Sequence, residues 1–291
     1  MLTGEMMAPS SPTVARWELA LRIRNRRLEL GIDVRTITEK LKFSRNYWST
    51  VENDKAVLSE TKMMDLLELF QFSAEERREL LALRDATKRR AWWTRQPGLD
   101  ENVARLYGLE FGAEQVRTYE ELIVTGLLQT EEYARTLVKA DPSVSSVAVE
   151  QRVEIRLRRQ ERLTSGDPLR LNAVMSEAAL MQQIGGPGVL RPQLLHLASM
   201  VENNPQSIEV RIIPFTATPG GVIGSSTIYL LDFASRHLPT VVWREAMAAH
   251  GIIEDPALVR HLAMAFDQAL ESCLSREKSL DLIRRSAEAL D

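Results

Sequence analysis

Four polar residues in one short segment, Arg45, Asn46, Ser49 and Thr50, have side chains that can recognise the edges of DNA bases. An arginine can form two hydrogen bonds with guanine, an asparagine can do the same with adenine, and a threonine can bond a base or contact the methyl group of thymine. In a helix, residues four apart lie on the same face. The spacing therefore predicts a helix whose outer face contacts bases in a DNA groove.

Two short helices must position this face. Asp33 is placed to cap a helix that ends near Leu41, and Ser44 is placed to cap a second helix that runs to about Asn53. Two such helices joined by a short turn form a helix-turn-helix, in which the second helix enters the major groove. The crossing point of the helices needs apolar residues, and the sequence supplies Ile37, Leu41, Phe43, Trp48 and Val51.

Side chains around this face are placed to hold DNA phosphates, which fix the position of a protein on the duplex without reading its sequence. We predict phosphate contacts from Arg35, Lys40, Lys42, Asn53 and Lys55. Contacts of the basic residues with phosphates also make binding weaker as the salt concentration rises.

Three further predicted helices surround this pair. Residues 14–30 have apolar positions at helical spacing and end at Gly31, Ser59 opens another helix, and Ser73 with Glu76 forms a capping box for a third. A helical bundle used for protein contact, with an ordinary solvated polar face, is the alternative. Five helices of fitting length and spacing favour DNA binding.

Residues 14–72 resemble the helix-turn-helix family of phage repressors, the Cro/cI or XRE type. The resemblance is carried by Leu30, Gly31, Leu41, Ser44, Arg45, Tyr47, Ser49, the run 51–53 and the amphipathic helix that follows. In that family an arginine late in the first helix pairs with a glutamate that ends the recognition helix. Arg27 and Glu52 occupy these positions, so the resemblance implies a structural ion pair between them.

The sequence departs from this family at three positions. Val34 stands where glutamine is frequent, and Lys42 and Asp54 stand where glycine is frequent. Aspartate tolerates a left-handed backbone, and Lys42 can add a phosphate contact, whereas Val34 removes one expected contact. The resemblance therefore implies the fold, but the family's DNA contacts do not all transfer.

Length and charge indicate two domains. A chain of 291 residues is long for one core. Residues 1–95 carry 18 Lys and Arg against 14 Asp and Glu, a net charge of +4, and the remainder carries 19 against 26, a net charge of −7. We predict a flexible arm over 1–13, a helix-turn-helix domain over 14–90, a linker over 91–98 and a C-terminal regulatory or interaction domain over 99–291.

The composition also argues against several classes of protein. No run approaches the roughly 18 apolar residues of a membrane-spanning helix, and the first residues lack the features of a secretory signal, so we expect a cytoplasmic protein without membrane contact. The single cysteine, Cys273, excludes an intramolecular disulfide. Four scattered histidines without metal-ligand spacing predict no metal site. We find no catalytic constellation, and we expect neither enzymatic activity nor a cofactor.

The remainder of the chain predicts further helices and a small sheet. Residues 102–162 have the pattern of helices. Short apolar or alternating runs at 169–175, 207–214, 226–233 and 239–243 predict strands, and two helices over about 256–271 and 276–290 close the chain. The fold class is therefore mainly α with a smaller α+β part and a small antiparallel sheet.

Residues from about Ala91 onward resemble the C-terminal domain of actinobacterial Scr-type antitoxin-like transcriptional regulators. The motifs that carry this resemblance are 91–93, 108–110 with Ala113 and Tyr119, 126–134, 152–160, 176–180, 185–187, 193–194 and 210–215. Thr125 departs from the family, which usually has proline there. The resemblance implies a cytoplasmic DNA-binding regulator, whose gene often neighbours that of a small partner protein.

Two segments of this part can form a surface for a partner or ligand. Gln129 and Thr130 offer polar groups beside an apolar ridge, and Arg156 and Arg159 belong to a basic run. The alternatives are structural. Thr130 can instead cap the helix that starts at Glu131, and glutamates interspersed among the arginines favour a solvated, salt-bridged face.

Together these features predict a sequence-specific transcriptional regulator that binds double-stranded DNA as a homodimer, with the C-terminal domain used for dimerisation and for sensing a partner or ligand. The alternative is an antitoxin-like interaction protein that sequesters a small protein encoded by a neighbouring gene, with DNA binding secondary.

Overall fold

The computed structural model describes residues 11–96, 99–142, 144–218, 220–222, 227–246 and 249–290, and every structural statement below concerns these residues. They divide into two compact units. The N-terminal unit comprises the described residues up to Gly112 together with Ala234–Pro239. The C-terminal unit comprises Ala113–Phe233 and the described residues from Thr240 onward.

The N-terminal unit is helical. Its α-helices are α1 (Pro12–Glu29), α2 (Val34–Leu41), α3 (Arg45–Glu52), α4 (Glu60–Leu69), α5 (Ala74–Ala86) and α6 (Glu101–Gly112), with a short 3-10 helix at Trp92–Arg95. The first five begin and end within a few residues of their predicted limits, because their ends are set by local chemistry.

A short polar side chain caps each of these five helices. Asp33 accepts a hydrogen bond from the backbone of Thr36 at 2.7 Å. Ser73 and Glu76 form the predicted capping box, with each side chain bonded to the other residue's backbone N–H. The predicted flexible arm covered 1–13. Residues 1–10 lie outside the described residues, and the last part of the arm is helical, since Ser11 caps α1, which begins at Pro12.

The core of the N-terminal unit contains the apolar residues predicted for the helix crossing. Ile37, Leu41, Trp48 and Val51 are buried, and Phe43 is half-buried against them. The predicted linker contributes to this unit as well. Its Trp93 is 3 % exposed, and the indole N–H donates to Thr13 Oγ1 at 3.2 Å.

Helix α6 packs closely on the start of α1. A β-carbon built on Gly108 would lie 2.1 Å from Thr13 Oγ1, so only glycine fits there. Ser11 Oγ donates to the Gly108 carbonyl at 2.6 Å, which joins the cap of α1 to α6. The compact N-terminal unit thus extends to Gly112, beyond the predicted linker.

The C-terminal unit combines helices with one sheet. Its strands are β1 (Gln115–Glu120), β2 (Arg170–Ser176), β3 (Ile208–Ile213), β4 (Thr227–Asp232), β5 (Val241–Ala246) and β6 (Ala249–Ile253). Its α-helices are α7 (Glu131–Ala140), α8 (Ser146–Gln160), α9 (Ala178–Met181), α10 (Pro187–Asn203), α11 (Pro256–Glu271) and α12 (Arg276–Glu288). The fold is therefore mainly α with a smaller sheet, as predicted.

The strand order is β3-β2-β1-β4-β5-β6. Strands β1, β2 and β3 run parallel, whereas β4, β5 and β6 continue the sheet antiparallel from β1. The expectation of an antiparallel sheet was therefore wrong for half of it. The reason is that helices connect the first three strands, and such crossovers return the chain in the same direction.

The two faces of the sheet differ in polarity. One face carries Tyr119, Val174, Ile228 and Leu230, which pack with Phe266 of α11 in an apolar core. The other face carries Thr118, Glu120, Thr227 and Tyr229 near the end of β1, because paired residues of neighbouring strands point the same way. This polar half-face was not predicted.

Within the described parts of the chain, no helix combines the length and apolar character that crossing a membrane requires.

Candidate nucleic-acid interface

Helix α3 has one buried face and one exposed face. Its N-cap is Ser44, whose hydroxyl accepts from the backbone N–H of Tyr47 at 3.1 Å. Trp48 and Val51 are 1 % and 3 % exposed on the inner face. Since these two residues anchor the helix, its other side faces outward.

The residues predicted to contact bases lie on the outer face. Arg45, Asn46 and Ser49 are exposed, and Thr50 is half-buried. The Thr50 hydroxyl donates to the Tyr47 carbonyl at 2.7 Å, so its oxygen can still accept a hydrogen bond. Arg45 and Asn46, the first two residues of α3, are therefore the most accessible side chains of this surface for contact with bases.

Tyr47 belongs to the same surface and was not among the predicted contacts. It is 37 % exposed, and its ring centroid lies 5.2 Å from that of Phe43. A polar hydroxyl on an aromatic ring beside the N-terminus of the recognition helix can reach a phosphate. In the sequence, Tyr47 directly follows Asn46, and this position could have identified it as part of the surface.

The turn between α2 and α3 depends on Lys42. This residue has φ 56° and ψ 47°, a left-handed conformation in which its N–H bonds the Thr38 carbonyl and closes α2. Its side chain is exposed. The turn therefore keeps the geometry that glycine usually provides, and adds a cation beside α3.

The residues predicted to contact phosphates have different surroundings. Arg35 Nε lies 2.7 Å from Glu39 Oε1 in an exposed ion pair, which is weak enough to exchange for a phosphate. Lys40 and Lys55 are exposed. Asn53 donates its amide N–H to the Ser49 carbonyl at 2.8 Å and to Ser49 Oγ at 3.2 Å, so it also closes the end of α3.

Arg27 and Glu52 form an ion pair that joins α1 to the end of α3. Arg27 Nε lies 2.5 Å from Glu52 Oε1, and the second pair of atoms is 3.3 Å apart. The two side chains are 14 % and 12 % exposed. Arg27 also donates to the Ile32 carbonyl at 3.4 Å, so the same guanidinium orders the chain before α2.

One carboxylate lies close to the basic surface. Hydrogen bonding from Thr36 lowers the pKa of Asp33, and Arg35 and Arg45 lower it further through their charges. This carboxylate therefore stays ionised while it caps α2. Its negative charge offsets part of the positive charge of Arg35 and Arg45.

The residues predicted as a partner or ligand surface in the C-terminal unit are largely structural. Gln129 is 1 % exposed, so its assignment to a surface was wrong. Its amide donates to the Val124 carbonyl at 2.6 Å, and its oxygen accepts from Arg156, because this buried loop needs partners for its polar groups. Thr130 caps α7 by accepting from the Tyr133 N–H at 3.4 Å. Arg156 and Arg159 are half-buried on α8.

A buried carboxyl group in the C-terminal unit was missed entirely. Glu120 ends β1 and is 2 % exposed. Thr227 Oγ1 donates to one of its oxygens at 2.6 Å, and the Tyr229 hydroxyl donates to the other at 3.3 Å. Burial raises the pKa of Glu120 to about 7. The prediction of helices throughout 102–162 was wrong at Gln115–Glu120, which form β1, so the position of Glu120 in a strand was not expected.

Among the described residues, no group of three or more His, Cys, Asp or Glu side chains is arranged to hold a metal ion. The site consists of two capped helices with an exposed polar face, and the half-buried ion pair of Arg27 and Glu52 joins the second helix to α1.

Comparison with known protein families agrees with this geometry. Residues 18–80 match the family model of a helix-turn-helix domain. Residues 103–285 match the model of a domain of unknown function, DUF5753. No curated protein matches the chain, and no solved structure does. Since the second match alone spans 183 of the 291 residues (103 to 285), this chain belongs to the DUF5753 family, with a helix-turn-helix domain preceding that domain.

Proposed function

We propose that the chain is a sequence-specific, cytoplasmic transcriptional regulator of the XRE type that binds double-stranded DNA as a homodimer. Its DNA-binding domain covers residues 14–90. Its C-terminal domain, over 99–291, belongs to the Scr-type antitoxin-like kind and serves dimerisation and the sensing of a partner or ligand.

The observation that carries this proposal is the two-sided character of α3. Trp48 and Val51 anchor the helix from inside, while Arg45, Asn46 and Ser49 are exposed on its outer face. A helix used only for packing would not need this combination of outward side chains, which suits the edges of guanine and adenine. In this proposal these residues and Thr50 read bases.

Phosphate contacts from Arg35, Lys40, Lys42, Asn53 and Lys55 then hold the domain on the duplex. Arg35, Lys40, Lys42 and Lys55 supply positive charge to the edge of the surface, and all four are exposed. Each phosphate contact adds affinity for every DNA sequence and a salt dependence, but no preference among sequences. The two sets of residues therefore predict different defects when they are substituted.

The test is a double substitution, Arg45→Ala with Asn46→Ala. DNA fragments that bind the unaltered protein are first selected from a random pool. We expect the double variant to lose its preference for these fragments over random DNA while its circular dichroism spectrum is unchanged. Each lost bidentate contact should reduce discrimination by about 1–3 kcal/mol.

A matched control removes one arginine and one small polar side chain elsewhere in the same unit. Arg78→Ala with Thr61→Ala changes two exposed residues on α5 and α4 and should leave the preference intact. The proposal is rejected if the Arg45 and Asn46 variant retains the footprint of the unaltered protein.

A further inference from the structure

The chain at the end of α3 carries two carboxylates, and each is paired with an arginine from a different helix. Glu52 pairs with Arg27 of α1. Asp54, two residues later, accepts a hydrogen bond from Arg105 Nη2 of α6 at 3.2 Å. The side chains of Asp54 and Arg105 are 14 % and 30 % exposed, so water shields this second pair only in part. An arginine outside the five predicted helices of the DNA-binding domain therefore contacts the residue that follows the C-cap of the recognition helix.

Asp54 forms the turn that ends α3. Its backbone is left-handed, with φ 54°, and its N–H donates to the Val51 carbonyl at 3.3 Å. The next N–H, that of Lys55, donates to the Thr50 carbonyl at 2.8 Å. A carboxylate at this place lies near the negative end of the helix macrodipole, which is unfavourable unless a cation compensates for it. Arg105 supplies this cation.

The packing of α6 fixes the position of Arg105. Gly108 and Gly112 lie three and seven residues after Arg105, and therefore on the same face of α6. A β-carbon on Gly108 would lie 2.1 Å from Thr13 Oγ1. A β-carbon on Gly112 would lie 2.7 Å from Val14 Cγ2. Because both glycines bring α6 against α1, the helix holds Arg105 at a defined position within the N-terminal unit.

We propose that Arg105 is a positioning residue for DNA binding. Through Asp54 it fixes the end of α3, which has only eight residues, and so places Asn53 and Lys55 for their phosphate contacts. These two residues stand directly before and after Asp54 in the chain. The inference rests on the proposed function and extends it, because the DNA-binding part of the chain then includes α6, beyond residue 90.

Charge alone predicts a different pattern of effects. A carboxylate repels DNA phosphates and a guanidinium attracts them. If the two side chains act only through their charges, Asp54→Asn strengthens binding and Arg105→Gln weakens it. If Arg105 acts through Asp54, either substitution releases the end of α3, so both weaken binding. Asparagine tolerates a left-handed backbone as aspartate does, so Asp54→Asn removes the charge and keeps the turn.

The test is a double-mutant cycle in the full-length protein, with Asp54→Asn, Arg105→Gln and both substitutions together. The affinity for a DNA fragment selected by the unaltered protein is measured at fixed salt concentration. We expect each single variant to bind about five- to tenfold more weakly, and the double variant to lose no more than Arg105→Gln alone, because the second substitution removes an interaction that is already lost. Arg105→Lys keeps a cation at this position and should lose less affinity than Arg105→Gln.

A matched control changes the same charge elsewhere in the N-terminal unit. Asp85 of α5 forms an exposed ion pair with Lys88 at 2.8 Å. Asp85→Asn removes one carboxylate from an ion pair, as Asp54→Asn does, but the pair does not involve α3. This control should not weaken DNA binding.

Hydrogen exchange of the free proteins measures the order at the end of α3 without DNA. In the unaltered protein, the N–H groups of Lys55 and Ala56 both donate to the Thr50 carbonyl, at 2.8 and 3.1 Å. We expect these two amides to exchange faster in both single variants, whereas the amides of α1 and α4 keep their rates. An effect confined to global stability would instead raise the exchange of all helices together.

Three results overturn the proposal: stronger DNA binding by Asp54→Asn, losses of affinity that add in the double variant, or unchanged exchange at the end of α3 in both single variants. These failures are separate from failure of the proposed function. A protein that prefers its selected DNA through Arg45 and Asn46, and binds it equally well with Arg105→Gln, refutes only the role of Arg105. Faster exchange at the end of α3 in a protein without DNA preference refutes only the DNA-binding role.

Discussion

Lys42 combines two roles that substitution can separate. Its left-handed backbone, at φ 56°, is unfavourable for a residue with a β-carbon, and its exposed ammonium lies beside the recognition helix. Gln71, which follows the C-cap of α4, also has a positive φ, at 52°. Comparing substitutions at the two residues can therefore separate the effect of backbone strain from the effect of the Lys42 charge.

We expect Lys42→Gly and Gln71→Gly each to raise the free energy of unfolding by about 1 kcal/mol, because glycine has no β-carbon to strain in this conformation. Only Lys42→Gly should weaken DNA binding and reduce the slope of log K against log salt, by about one. Lys42→Ala should show the same binding defect without the gain in stability. Urea unfolding and salt titrations of binding measure both quantities. A Gln71→Gly variant with the same binding defect would assign the effect to backbone flexibility instead of charge.

Glu120 predicts a pH dependence of stability. Its pKa is about 7 in the folded protein, against 4.5 for an ordinary glutamate, so the folded state holds the proton more tightly than the unfolded state. The contribution of Glu120 to the free energy of unfolding is therefore greatest below pH 4.5. It falls as the pH rises through 7 and is constant at higher pH. The difference between these two pKa values corresponds to a loss of about 3 kcal/mol.

Glu120→Gln should remove this component, since glutamine does not ionise. Urea unfolding of both proteins at pH 5, 6, 7 and 8 is the measurement, and the difference between their free energies is the readout. Contributions of other titrating groups cancel in that difference. The variant can be less stable at pH 5 because it has lost one acceptor for Thr227 or Tyr229, but its pH profile should be flatter. Parallel profiles would show that Glu120 does not titrate in this range.

At the scale of elements, the pair of Arg27 and Glu52 fixes α3 against α1. Removing one partner leaves a largely buried charge without compensation, so we expect Glu52→Ala to cost about 2–3 kcal/mol. Replacing both, in Arg27→Met with Glu52→Leu, should cost less than the single change. Urea unfolding of the two variants tests this. Glu39→Ala breaks the exposed pair with Arg35 and should cost less than about 1 kcal/mol. A double variant that loses as much stability as Glu52→Ala, or more, would contradict this role of the pair.

The elements that the sequence predicted well are those whose ends are marked by local chemistry. Ser44 and Ser73 define their helices by bonds to residues three positions on, which can be read from the chain itself. Strand β1 has no such signal. Its residues alternate only weakly, and its neighbours β2 and β4 come from 50 or more residues later in the chain. The polar half-face around Glu120 depends on that pairing, so it could not be found before the fold was known.

The same difference separates the two candidate sites. The outer face of α3 follows from helical periodicity, because Trp48 and Val51 must be buried and Arg45 and Asn46 must then be exposed. Gln129 was assigned to a surface because it is polar. Its burial follows from a loop whose carbonyl groups need partners, and from Arg156 on a helix that begins 17 residues later. Local pattern cannot predict a bond that depends on how distant segments pack.

At the scale of the whole molecule, positive charge is concentrated in the part of the chain that contains the helix-turn-helix. Residues 1–95 have a net charge of +4 and the remainder has −7. Phosphates therefore attract the helix-turn-helix part and repel the rest of the chain on average. In the proposed function, this distribution favours the helix-turn-helix part as the side of the protein that faces DNA. Because one domain of this size contacts few base pairs, the proposal includes a second copy.

A twofold regulator predicts a periodic dependence on the spacing of its half-sites. The two recognition helices of a dimer enter the major groove on one side of the duplex, about one helical turn apart. Inserting 5 bp turns one half-site to the opposite side, so only one domain can bind with full contacts. We expect the affinity for the selected fragment to fall by about 100-fold or more, because the second contact loses its high effective concentration.

A half-site alone should bind as weakly as the fragment with the insertion. Electrophoretic mobility shift assays at fixed salt measure both, with a fragment of scrambled half-sites as the reference for non-specific binding. Equal affinity for the original and lengthened fragments would mean that the chain reads a single half-site, and the regulator would then act as a monomer on DNA.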